Sequence, residues 1–133
     1  MDGAASWLRL FYRRTNMRLS QAIEMADRMR PNVLLKEEKI IPLYKLETEI
    51  AQIMGEEAPE WDTTAEDPEL LAPDEHFMLY PYTLLPYIDH YQEETDLYQI
   101  DMITANQALA DFRAQWARTH RHADTTQIKG VFI

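Results

Sequence analysis

The sequence predicts an all-α protein, a small bundle of four to five helices with a long acidic loop and an extended C-terminal tail. Two patterns carry that expectation. Over residues 84–116, Leu84, Ile88, Tyr91, Thr95, Tyr98, Met102, Ala105, Leu109, Phe112 and Trp116 recur at alternating steps of four and three. Such steps line one stripe of an α-helix, whereas a strand needs steps of two. Over residues 36–54, Ile40, Leu43, Leu46, Ile50 and Ile53 mark a second inward face. With 133 residues, 46% of them hydrophobic, the chain has material for one modest core and not for two.

Taken in order, residues 4–14 put Trp7, Leu8, Leu10 and Phe11 on a broad apolar face, with Arg9, Arg13 and Arg14 elsewhere. Residues 1–16 are expected to be a basic N-terminal extension outside the core, either loosely attached or docked on an acidic partner or on DNA. Ser20 is the expected N-cap of the next helix, whose apolar residues Ile23, Met25, Ala26 and Met29 run up to Pro31. The following helix spans about residues 36–54 and ends on Gly55 as a left-handed cap. Pro42 lacks the N–H for its i−4 carbonyl, so this helix either kinks there or begins near it.

Residues 56–79 hold Pro59, Pro68, Pro73 and nine acids without a sustained period. They are expected to form a surface loop pinned by Trp61, Leu70, Leu71, Phe77 and Leu79. Pro81 and Pro86 bracket the start of the long seam. Unbroken, that helix would run about 50 Å at 1.5 Å per residue, so a break is expected within 93–98, where Gln92, Glu93, Glu94, Thr95 and Asp96 dilute the stripe. After Trp116 the chain turns polar and then ends on Ile128-Lys129-Gly130-Val131-Phe132-Ile133. That segment is β-prone and has no evident partner within the molecule, so either Val131, Phe132 and Ile133 contact a neighbouring subunit or the terminus is frayed. The expected divisions are 1–16, a helical domain over 17–122, and a tail over 123–133.

The net charge of −10 is unevenly distributed: +3 over residues 1–30, −15 over 31–101 and +2 over 102–133. An acidic middle repels phosphate, which argues against a protein that wraps nucleic acid. It suits a surface that imitates DNA for a protein partner, or the lining of a passage along which DNA slides without sticking. The absence of cysteine excludes disulfides, thiolate metal sites and a cysteine nucleophile. Apolar stretches are short and charge-interrupted, and the N-terminus has no signal-peptide pattern, so a soluble, intracellularly made chain is expected.

Among His76, His90, His120 and His122, only His90 with Glu94 has helical i, i+4 spacing, which is too little for a metal centre. Asp89, Glu93, Glu94, Asp96 and Asp101 read as the wet side of an amphipathic helix. Tyr80, Tyr82, Tyr87, Tyr91 and Tyr98 read as core or subunit contact rather than a base-stacking platform. No phosphate loop, nucleophile elbow or H-E-x-x-H motif is present, so neither a cofactor nor an enzyme activity is expected.

Several phrases nonetheless stand in a familiar order: Ala26-Asp27-Arg28-Met29-Arg30-Pro31-Asn32, then Leu46-Glu47-Thr48-Glu49-Ile50 with Gly55, then Glu69-Leu70-Leu71-Ala72-Pro73. They are followed by Ile88-Asp89, Tyr98, Asn106, Ala108, Phe112 and Arg118-Thr119-His120. Over residues 17–122 this order resembles the small helical head-tail connector adaptors encoded beside capsid and portal genes in tailed phages and prophages of Gram-positive bacteria. The resemblance implies a helical body in a ring of twelve or a similar number of copies beneath the portal protein, without catalytic residues. It further implies a continued DNA channel and a platform for a stopper or tail-terminator protein. Arg118 and His120, with the apolar tail, would contact the portal or the next subunit, at the head-tail interface of the virion. The sequence departs from the family at residues 90–94, a stretch that in relatives often contains Asn-Gly. The alternative from charge alone is an acidic DNA mimic or antitoxin-like inhibitor of a basic protein.

Overall fold

The computed structural model describes residues 16–61 and 67–120, which form an all-α bundle. Among these residues there are four α-helices: α1 (Leu19–Met29), α2 (Lys36–Met54), α3 (Leu79–Tyr91) and α4 (Thr95–Thr119), with a 3-10 turn at Asp74–His76. No described helix is long and apolar enough to cross a membrane.

Helix α1 buries Leu19, Ala22, Ile23 and Ala26 at steps of three, one and three, a single face. It starts one residue before the expected cap, and Ser20 lies in its first turn. The helix start is capped locally, Gln21 Oε1 accepting from Arg18 N–H at 2.9 Å, and also from far along the chain. Asp67 accepts from Ser20 N at 2.8 Å and from Ser20 Oγ at 2.6 Å, so a carboxylate sits at the positive end of the helix. Leu19 N–H donates to Pro68 O at 3.0 Å and Leu70 N–H to Met17 O at 2.8 Å. The chain before α1 is thereby tied to the loop as a single antiparallel bridge, Arg18 with Glu69. Met29, expected on the apolar face, is exposed, because the helix ends there and the chain turns away.

Helix α2 runs without interruption from Lys36 through Pro42 to Met54. Its buried stripe is Lys39, Ile40, Leu43, Leu46, Glu47, Ile50 and Ala51. At its end Gly55 takes φ +74°, its N–H donates to Gln52 O at 3.2 Å, and Glu56 N–H reaches Ala51 O at 2.8 Å. This is the two-bond C-terminal closure that a left-handed residue permits.

The acidic loop is pinned as expected. Leu70 is buried, and Trp61, Leu71 and Phe77 pack against the core. Tyr44 donates its hydroxyl to Pro59 O at 2.8 Å and meets Trp61 edge-on at 5.2 Å.

Helix α3 is the central element and touches all three others. Leu79, Tyr80, Pro81, Leu84, Leu85, Pro86, Ile88 and Asp89 are buried around it, the pattern of a helix enclosed on several sides. The long seam then breaks at residues 92–94, at the N-terminal edge of the expected interval. Glu93 takes φ +61°, its N–H donates to His90 O at 3.2 Å, and Glu94 N–H donates to Asp89 O at 2.9 Å. That is the same closure as at Gly55, built here on a non-glycine residue.

Because the chain reverses at this turn, the seam divides. Leu84, Ile88, Ala105 and Phe112 face the core, while Tyr91 and Thr95, expected on the stripe, are exposed. Of the five tyrosines expected in core or contact positions, Tyr80 is fully buried, Tyr82 and Tyr98 are half-buried, and Tyr87 and Tyr91 are exposed.

Candidate functional site

The bundle encloses three clusters of charged side chains, all centred on residues that the sequence pattern alone assigns to helix faces. The first joins α1, α3 and α4. Arg30, at the end of α1, donates from Nε to Asp89 Oδ1 at 2.8 Å and from Nη2 to Asp101 Oδ2 at 2.6 Å. Asp89 is 0% exposed and Asp101 8%, so the expectation of a wet acidic face fails at these two positions. The guanidinium supplies the charge partner that lets them leave water. Glu93, Glu94 and Asp96 do remain exposed.

This cluster carries two carboxylates against one guanidinium, and Asp89 Oδ2 is buried with no hydrogen-bond partner. Desolvation pushes the Asp89 carboxyl up to about 6; the neighbouring Asp101 carboxylate adds to this, and Arg30 opposes it. Arg30 is raised above its ordinary value, chiefly by its bond to Asp101. Near pH 6, therefore, the Asp89 carboxyl takes up a proton.

The second cluster joins α2, α3 and the loop through neutral donors. Glu47 Oε1 accepts from the Tyr80 hydroxyl at 2.6 Å, and its Oε2 accepts from Leu71 N–H at 3.0 Å. The Tyr80 oxygen in turn accepts from Ala72 N–H at 3.0 Å. Burial raises the Glu47 carboxyl, while the bonds from Tyr80 and Leu71 pull it down. Burial, followed by the charge and bond of Glu47, raises the Tyr80 phenol. In the third cluster Lys39, 5% exposed, places Nζ 2.9 Å from Asp27 Oδ1, which also accepts from Asn32 Nδ2 at 2.8 Å.

A signal for these residues was present in the spacing. Glu47 stands four after Leu43 and three before Ile50, Asp101 four before Ala105, and Asp89 four after Leu85, each beside or within an apolar stripe.

The contact residues expected at the C-terminal end lie apart from these clusters. Arg118 is exposed in the last turn of α4. His120 stacks on Trp116 with ring centroids 3.7 Å apart and planes 18° apart. Its Nδ1 lies 2.9 Å from Trp116 O and 2.9 Å from Thr119 Oγ1. The two residues close the helix beside an open groove of about 450 Å³ lined by Ile53, Met54, Gly55, Arg113, Trp116, Ala117 and His120.

His90 and Glu94 do not share a helix, because α3 has ended before Glu94; the His90 ring lies 5.8 Å from Tyr98. Among the described residues no group of three or more His, Asp or Glu is arranged to hold a metal ion. Arg9, Arg13 and Arg14 of the basic arm, and Val131, Phe132 and Ile133 of the tail, lie outside the described residues. Comparison with protein-family models, with curated proteins and with solved structures finds no match to this chain.

Proposed function

We propose that the chain is a structural head-tail connector, a ring-forming adaptor beneath a portal, without chemistry of its own. The observation that carries this is the acidic surface. Of the eighteen acids in residues 31–101, Glu37, Glu56, Glu57, Glu60, Glu69, Asp74, Glu75, Glu93, Glu94 and Asp96 are exposed, so the negative block remains on the outside after Glu47, Asp89 and Asp101 go into the core. A surface of that sign repels the phosphate backbone and suits a channel through which DNA slides.

The phrases that carry the family resemblance add support of another kind. Asp27, Arg30, Asn32, Glu47, Leu71, Ala72 and Asp89 all take part in the buried polar clusters. The likeness therefore falls on side chains and backbone N–H groups that fasten α1, α2, α3 and the loop together, which is the part of a connector a ring would need to be rigid.

The test is to mix the purified full chain with portal particles encoded by the same genome. Co-sedimentation of a ring of fixed copy number, seen by negative-stain imaging, is the expected result. Failure to bind the portal, together with a small species that captures a basic nuclease, would replace the connector with the acidic mimic.

A further inference from the structure

Helix α4 has two faces, and only one of them is used. Its inner face, with Asp101, Ala105 and Phe112 buried and Met102, Leu109 and Trp116 half-buried, packs on the bundle. On the opposite side Ile100, Ile103, Gln107, Ala110, Ala114 and Ala117 recur at steps of three and four, a second seam about 180° around the helix. Every one of them is exposed, Ile100 at 58% and Ile103 at 69%. Asp96 and Arg118 stand on the same face at the two ends. Neither has an ion-pair partner among the described residues.

We infer that this outer face of α4 docks antiparallel on the same face of a second copy, about a twofold axis at Gln107. Size and charge both select that occupant. The seam is large in its N-terminal half, with two isoleucines, and small in its C-terminal half, with three alanines. Antiparallel pairing sets the isoleucines of one helix against the alanines of the other, whereas parallel pairing opposes bulk to bulk and leaves a gap between the alanines. Residues 96 and 118 are equidistant from 107, so the same axis brings Asp96 of each copy to Arg118 of the other. Parallel pairing would oppose like charges. The contact spans about 33 Å at 1.5 Å per residue. Being isologous, it differs from the head-to-tail contacts that close a ring, so it stands or falls independently of the connector proposal.

The chain contains no cysteine, which allows a direct test on the full-length protein. Sedimentation velocity over a concentration series is expected to show the mass doubling. The doubling should be lost in Ile100→Glu with Ile103→Glu, both at exposed sites, with the helical circular dichroism unchanged. Asp96→Arg alone or Arg118→Asp alone should weaken association about tenfold, and the two together should restore it. Gln107→Cys under mild oxidation should give one disulfide-linked dimer, since a residue on the axis meets its own copy within bridging range; Ile41→Cys, exposed on α2, should not. A wild-type chain that stays monomeric would overturn the inference. So would a dimer indifferent to the Ile100 and Ile103 changes, or association through this seam in which Gln107→Cys fails to link.

Discussion

Glu47 and Asp89 are both fully enclosed carboxylates, yet the fold treats them in opposite ways. Both oxygens of Glu47 are filled by neutral donors, the Tyr80 hydroxyl and the Leu71 N–H, and Tyr80 is in turn held by Ala72 N–H. Asp89 shares a single guanidinium with Asp101 and keeps one oxygen bare. A group whose two oxygens each accept from a fixed donor is a fastening with one stable arrangement. A carboxylate pair with one cation between them has a proton site left over, and its stability follows pH. The Glu47 cluster is a clasp between α2, α3 and the loop; the Asp89 cluster is a titratable joint where α1 meets the α3–α4 hairpin.

The largest expected effect comes from breaking the clasp. Glu47→Ala strands the Tyr80 hydroxyl and the Leu71 N–H in the core and opens a cavity, and it should cost about 4 kcal/mol in urea unfolding. Removing the cation of the joint should cost about 3 kcal/mol at pH 8, where Arg30→Ala leaves two carboxylates facing each other, and clearly less at pH 5, where Asp89 takes up a proton. A cost of Arg30→Ala that stays the same at pH 5 and pH 8 would remove the titratable character of the joint.

Asp89→Asn sharpens the comparison from the other side. The Asp89 carboxyl is raised in the fold to about 6, so its contribution is fully present below the ordinary carboxyl value near 4 and is lost as pH rises through 6. The wild-type chain should therefore lose roughly 2 kcal/mol relative to Asp89→Asn between pH 4 and pH 7, measured as the difference between their unfolding curves.

Asp67 supplies a solvent-facing reference. It bonds Ser20 N and Oγ at the start of α1 in an exposed setting, and Asp67→Ala should cost about 1 kcal/mol. Smallest, and opposite in sign, is Glu93→Gly. Glu93 holds φ +61° in the turn that follows Asp89, and glycine there should raise stability by about 0.5 to 1 kcal/mol in thermal unfolding while leaving both clusters intact.

Much of the architecture was readable along the chain. Lys36–Met54 with its Gly55 cap, the apolar face of α1, the pinned acidic loop and a break in the long seam all follow from rules that act within a few residues. The expectations that failed have separate causes. Ser20 is not the cap because Asp67 arrives from 47 residues away; Tyr91 and Thr95 leave the stripe because the reversal falls at 92–94; and Asp89 and Asp101 are not wet because Arg30 reaches them.

By itself, then, the sequence determined the helices, their inward faces and the sign of the surface, since backbone hydrogen bonds of four-residue reach and side-chain period are local quantities. Only the tertiary structure decided which acids leave water. Burying a charge is tolerable only where a partner is delivered, and the partner of Asp89 and Asp101 lies 59 and 71 residues away in the chain. No spacing rule spans such a distance; the packing of α1 against the α3–α4 hairpin does.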